Sequence, residues 1–228
     1  MVYFALVPAF NEEKNIEEVI LRLRKSPKVN SIVIDDGSTD STAELVKKLG
    51  VTLLRHRTNK GKGEAIKTGF NYILKNHPEA KYIVLIDADM QYLPEEIEKI
   101  LEPLEKNEAG FVMGYRNWRA VPFRHKLGNF VWRVLFNFIF GTNLKDTNCG
   151  YMGFTKNAME KIKKLYGGYI IENTMLVEAI KNKIKIKQVP VTVVYKHTSK
   201  IPRGIRMVAG IWFFIFIEGL KYRLGIKN

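Results

Sequence analysis

Two kinds of apolar pattern alternate through the first half of the chain. Short, nearly unbroken apolar runs sit at Tyr3–Val7, Asn30–Ile34, Val51–Leu54, Tyr82–Ile86 and Phe111–Tyr115. Their length and β-branched content predict buried strands. Between them the spacing changes to that of a helix. After Asn11, a candidate N-cap, and the acidic pair Glu12-Glu13, the residues Ile16, Val19, Ile20 and Leu23 fall on one helix face. Leu45, Val46 and Leu49 mark a second helix, closed by Gly50. A third opens at Asn59-Lys60-Gly61-Lys62-Gly63 and runs to Leu74. A fourth follows Pro94, with Ile97, Ile100, Leu101 and Leu104. Strands alternating with helices predict a parallel α/β sheet with right-handed crossovers.

In such a sheet, ligands bind beyond the carboxyl ends of the strands. Four polar loops follow strands here: Pro8–Glu12, Asp35–Asp40, Asp87–Gln91 and Tyr115-Arg116. The topology predicts that all four gather at one edge. The fourth strand runs straight into Asp87-Ala88-Asp89-Met90-Gln91. Two carboxylates one residue apart repel unless a cation lies between them, and hard oxygen ligands suit Mg²⁺ or Mn²⁺. Magnesium completes its shell with water and substrate phosphates. A strand-end carboxylate capping the next helix is the competing reading of Asp-x-Asp alone; the convergence of the four loops favours the metal. In Asp35-Asp36-Gly37-Ser38, one acid could accept from a nucleobase N–H or a ribose hydroxyl, or the segment could be only a turn. Gly61-x-Gly63 is neither a Walker loop nor GxGxxG. It lets a loop approach a nucleotide, or simply starts a helix.

Charge divides the chain. Residues 1–115 hold 16 Lys+Arg and 18 Asp+Glu, a net −2, whereas 116–228 hold 21 and 5, a net +16. That asymmetry points to nucleic acid, an anionic membrane surface or a polyphosphate substrate. In the basic half, Lys126–Phe140 carries a helical stripe of Leu127, Phe130, Val131, Val134, Leu135 and Phe138, widened by Trp132, Phe136 and Phe140. Ile205–Leu220 is richer still in apolar residues, with Lys196, Lys200, Arg203 and Arg206 before it or at its start. Helices of this kind are buried, form a dimer contact, or lie in a membrane interface, and the basic and aromatic content favours the interface. The runs are too short to be read as spans. The basic residues alternate with apolar stripes and lack an RNP-type aromatic pattern, so a nucleic-acid module is disfavoured. The single cysteine, Cys149, excludes an internal disulfide and fits a reducing compartment. The first residues do not have the form of a signal peptide, so a cytoplasmic, peripheral location is expected.

Pro8-Ala9-Phe10-Asn11-Glu12, Asp35-Asp36-Gly37-Ser38-Thr39-Asp40, Asn59-Lys60-Gly61, Asp87-Ala88-Asp89 and Asp146-Thr147-Asn148-Cys149-Gly150-Tyr151 occur in that order. This set resembles the family 2 glycosyltransferases of the GT-A fold, a Rossmann-like, mostly parallel sheet flanked by helices. Within them it is most similar to the dolichyl-phosphate mannose synthase-like branch. The resemblance covers residue 3 to about 200. It implies a GT-A domain over 1–200, with a nucleotide-sugar half (1–115) and an acceptor half (116–200), followed by an apolar helix over 201–228. It further implies that a GDP- or UDP-sugar is bound by Pro8, Phe10, Glu12, Asp36, Asp87, Ala88, Asp89 and Arg116, with Asp87, Asp89 and Gln91 holding the metal. The acceptor would be a polyprenyl (dolichyl) phosphate at the membrane surface, with Asp146, Glu172, Lys200 and Arg203 on its side. Family members often carry an arginine and a glycine ahead of the Ser-Lys pair; here Tyr195-Lys196-His197-Thr198 precedes Ser199-Lys200.

The reaction so implied is inverting displacement at the anomeric carbon, with the metal as Lewis acid and Arg116 stabilising the leaving group. A phosphate monoester is already an anionic nucleophile. A hydroxyl acceptor would instead need a base, for which Asp146 and then Glu172 are the candidates. A sugar-1-phosphate nucleotidyltransferase would show a Gly-x-Gly-Thr-Arg start where this chain has Pro8-Ala9-Phe10-Asn11-Glu12.

Overall fold

Seven strands form one sheet in the order β3-β2-β1-β4-β6-β5-β7. The computed structural model describes residues 2–117, 123–162, 165, 170–194 and 204–224; for 123–129, 204–212 and 214 only the backbone is described. β1 (Val2–Ala9) is buried along nearly its whole length, as expected of a strand covered on both faces. β2 (Val29–Asp35) and β3 (Thr52–Arg55) extend the sheet on one side of it, and β4 (Ala80–Leu85) pairs with it on the other, all parallel. The connecting helices are α1 (Ile16–Leu23), α2 (Thr42–Lys48) and α3 (Lys62–Asn76). Ile16, Val19, Ile20 and Leu23 are all buried, so the predicted face of α1 is the packed one. The strand order reverses between β1 and β4, which makes the carboxyl ends of these two strands the topological switch point where a crevice opens.

Beyond β4 the topology departs from a purely parallel sheet. A 3₁₀ turn (Pro94–Glu96) leads into α4 (Ile97–Glu105), and β5 (Phe111–Arg116) follows. β5 does not pair with β4. Between them lies β6 (Met152–Thr155), antiparallel to both, with Leu85 opposite Met152 and Phe111 opposite Phe154. The rings of Phe111 and Phe154 stack at 4.6 Å, and Phe70 of α3 meets Phe154 edge-on at 5.6 Å. β7 (Ile186–Val191) then runs parallel to β5 at the outer edge, where Pro190 is tolerated. The sheet therefore takes strands from both halves of the chain.

The remaining helices are α5 (Phe123–Phe140), α6 (Lys156–Lys161), α7 (Ile171–Lys181) and α8 (Gly204–Arg223). α5 and α8 pack together. Arg223 donates from Nε to the carbonyl of Ile139 (2.8 Å) and from its terminal nitrogen to that of Phe138 (2.7 Å), satisfying the last carbonyls of α5. On α5 the buried residues are Trp132, Phe136 and Phe140. Four members of the stripe, Phe130, Val131, Val134 and Phe138, face outward instead, Phe138 with 77% of its surface exposed. On α8, Ile215 is buried while Phe213, Phe216 and Leu220 are exposed, Phe213 by 69%. Each helix thus has a packed side and an outward apolar side. Among the described residues, no helix is long and apolar enough to cross a membrane.

Candidate active site

At the switch point, the loops after β1, β2 and β4 enclose a cavity of about 660 Å³. Its walls include Pro8 near the end of β1, Phe10 and Glu12 after it, Asp36 after β2, and Asp87, Ala88, Asp89 and Gln91 after β4. Seven of the eight residues expected to bind the donor line it, together with all three expected metal ligands; Arg116 does not belong to the lining. The walls also carry Lys62 and Glu172, and a cavity of this size suits a drug-sized ligand.

Local hydrogen bonding fixes the loops. Asn11 takes a left-handed conformation (φ 55°), and its Oδ1 accepts from the backbone N–H of Thr39 (2.9 Å). The N–H groups of Asn11 and Glu12 donate to the hydroxyls of Ser38 (2.9 Å) and Thr42 (2.8 Å). Asp36 is buried and works inside the protein as well as at the cavity wall. Its carboxylate accepts the N–H groups of Lys60 (2.9 Å) and Gly61 (2.7 Å) and meets Nδ1 of His56 at 2.7 Å. It thereby ties the glycine loop to the end of β2. Gly37 lets this loop come close: at φ +77°, a Cβ there would lie 2.6 Å from the backbone of Thr58.

Around the Asp-x-Asp turn, charges are set against one another. Lys62, first in α3, places Nζ 2.7 Å from Asp87 Oδ1 and 2.8 Å from Glu172 Oε1. Burial alone would lower the Lys62 pKa, but the two carboxylates outweigh it and hold the ammonium above its ordinary value. Burial raises the Asp87 pKa; Asp89 and Glu172 push the same way, and Lys62 opposes them. Asp89 Oδ1 accepts the N–H of Gln91 (2.9 Å), and Met90 between them has φ 60°, so the turn doubles back on itself. Gly150 closes over the pair, since a Cβ there would fall 2.5 Å from Asp87 Oδ2. Its N–H donates to the buried Tyr92 hydroxyl (3.0 Å). Cys149 beside it is buried, which pushes its thiol pKa up to about 12 and leaves it unreactive.

Arg116 and Asp146 form a separate unit. The guanidinium meets the carboxylate through Nε (2.6 Å) and a terminal nitrogen (2.8 Å), and Asp146 also accepts the N–H groups of Arg116 (3.2 Å) and Asn148 (3.0 Å). Asp146 is buried, and its partners occupy both oxygens. It meets Arg116 through both carboxylate oxygens. Burial disfavours the Arg116 charge, but Asp146 more than restores it and keeps the pKa above the ordinary value. Glu172, expected on the acceptor side, lines the same cavity as Asp87 and Asp89. Lys200 and Arg203 lie outside the described residues. The described chain before them ends alongside the Asp-x-Asp turn, where Val194 N–H donates to the carbonyl of Gln91 (2.9 Å). Lys62 escaped the sequence reading, although the flanking pair Gly61 and Gly63 marked its place.

The glycosyl transferase family 2 profile matches residues 4–163. The chain belongs to that family. It is a hexosyltransferase by class, and the matched span runs from β1 through α6. An uncharacterized protein of Methanocaldococcus jannaschii is 34% identical over 233 residues, covering 94% of this chain and 99% of the relative. The UDP-N-acetylglucosamine–dolichyl-phosphate N-acetylglucosaminyltransferase of Methanococcus voltae is 29% identical over 248 residues, covering 97% and 96%. Among solved structures, glucosyl-3-phosphoglycerate synthase from Mycobacterium tuberculosis, in complex with Mn²⁺, UDP and glucosyl-3-phosphoglycerate, superposes with a TM-score of 0.74 at 20% identity. That match covers 100% of this chain and 81% of the other, and it establishes the GT-A fold.

Proposed function

We propose that this glycosyltransferase moves a sugar, with inversion, from a nucleoside diphosphate sugar onto a dolichyl or polyprenyl phosphate at a membrane surface. The observation that carries the donor side is the single cavity in which Asp87, Asp89 and Gln91 face the Pro8–Glu12 loop and Asp36. The acceptor class is supported by the Methanococcus voltae relative, named for transfer to dolichyl phosphate and matched over nearly its full length.

The residues fit a divalent cation. Two carboxylates and an amide oxygen at one turn are hard ligands of the kind Mg²⁺ and Mn²⁺ take, and the mycobacterial structure of this fold was solved with Mn²⁺ and UDP. Bound at Asp87, Asp89 and Gln91, the cation would supply Lewis-acid neutralisation of the departing diphosphate. The chain's own groups do the rest. Pro8, Phe10 and Glu12 pack the nucleoside, and Asp36 sets the loop beneath it. Arg116, paired with Asp146 outside the cavity lining, is the nearby cation assigned to the departing phosphate. A phosphate acceptor carries its own nucleophilic oxygen, so no base is required. The outward apolar faces of α5 and α8 hold the enzyme at the lipid surface where such an acceptor resides.

The experiment is transfer of labelled sugar from UDP- and GDP-sugars to a polyprenyl phosphate in detergent, with Mg²⁺ or Mn²⁺. A lipid-linked product is expected that disappears in EDTA and in Asp89→Asn. Full activity under either condition ends the metal reading. Transfer only to a water-soluble hydroxyl acceptor ends the lipid reading and makes Glu172 the base to test.

A further inference from the structure

The donor cavity holds a positive charge to which the mechanism above gives no task. Lys62 Nζ lies between Asp87 and Glu172, at 2.7 and 2.8 Å, and Glu172 is 110 positions from it in sequence. On this side of the cavity Asp87, Asp89 and Glu172 stand together, with the Lys62 ammonium between two of them. The packing is close, because a Cβ at Gly150 would lie 3.3 Å from Nζ as well as 2.5 Å from Asp87. An ammonium 2.7 Å from Asp87 Oδ1 competes with a metal ion for that oxygen. Two cations a few ångströms apart also repel strongly in a partly desolvated site.

The geometry points to Lys62 as the resident counter-ion of the metal site. Its ammonium neutralises Asp87 when no metal is bound, and a divalent cation that takes Asp87 displaces it onto Glu172. Glu172 sits in the first turn of α7, so metal binding is tied to the placement of that helix. The inference rests on the metal-dependent reading above. Lys62 is on this account a positioning residue, and its effect is read on metal affinity rather than on turnover.

The test is Mn²⁺ binding to the full chain without nucleotide, measured from the electron paramagnetic resonance signal of free Mn²⁺. Lys62→Met and Lys62→Gln should bind Mn²⁺ about tenfold more tightly than the parent, a difference of about 1.4 kcal/mol. Lys62→Arg, which keeps the charge, should stay near the parent. Glu172→Gln should weaken binding in the parent and do so less in the Lys62→Met background, where no displaced ammonium needs a partner. Lys62→Gln retains polar contact with both carboxylates and guards against a Met variant that fails to fold. Circular dichroism identifies the folded variants. Folded Met or Gln variants that bind Mn²⁺ no more tightly than the parent overturn the role of Lys62 alone. A parent that binds no Mn²⁺, even with a nucleoside diphosphate, overturns the metal-dependent reading itself and this inference with it.

Discussion

Asp146 is buried and meets the Arg116 guanidinium with two parallel hydrogen bonds. Replacing Asp146 with Asn removes the carboxylate from a buried ion pair, a change that costs about 3–5 kcal/mol. The expected result is a lower urea midpoint at unchanged m-value. An Asn variant as stable as the parent but slower in turnover would favour Asp146 as the base over a positioning role for Arg116. Asp36 is a second case. Removing it with Ala should cost about 1–3 kcal/mol, because the N–H groups of Lys60 and Gly61 lose their acceptor. Calorimetric nucleotide titration should show weaker binding through the loosened loop. The sequence singled out Arg116, Asp146 and Asp36 but not their partners. Residue type and position at a strand end are local properties, whereas partnership depends on which distant loops meet. Lys62 was harder still, one of 37 basic residues with nothing local to say that its ammonium is the one turned inward.

Elements differed in how plainly they could be read. β1, β2, β4 and β5 were legible because each is an apolar run followed by polar chemistry. β6 was not: four residues between Tyr151 and Lys156 give too short a pattern, and its antiparallel direction is decided by the long excursion through α5. β7 alternates apolar and polar residues around Pro190 and reads as a strand only once β5 offers it an edge. On α5 the apolar residues run round most of the helix, so periodicity could not say which side packs. The α7–α8 contact makes a prediction of its own. Glu218 of α8 is buried and paired with Lys181 of α7 and with Lys221 (2.9 Å). Burial would raise its pKa, but the two lysines outweigh burial and hold it below the ordinary 4.5. A carboxylate with a depressed folded-state pKa contributes stability above its unfolded pKa and loses it as pH falls through the folded value. The melting temperature should therefore drop with acidification below about pH 4.5, less steeply in Glu218→Gln than in the parent. Equal slopes would mean that the pair contributes nothing.

Across the whole molecule, net charge and apolar exposure fall in the same half: +16 over residues 116–228, with Phe138 and Phe213 standing open on α5 and α8. Each basic residue near an anionic surface is worth about 1 kcal/mol, and exposed aromatic residues add burial in the headgroup region. Sedimentation with vesicles should show binding that needs anionic lipid and weakens as salt rises. Phe138→Ser combined with Phe213→Ser should reduce it, with stability changed by no more than about 0.5 kcal/mol per site. Protein left in the supernatant at low salt would end the membrane assignment. A concentration-dependent dimer abolished by the same two changes would give the face to a second copy. The strand order sets a further condition, on synthesis. β4 is complete at Leu85, but its outer neighbour is β6, which ends at Thr155, and β5, made in between, takes the place beyond β6. At about 5–20 residues per second, the intervening stretch of roughly 70 residues leaves the β4 edge open for several seconds on the ribosome. An open apolar edge is a template for wrong pairing. Shielding of the nascent chain between β4 and β6 is thus a requirement that the sheet places on the cell making it.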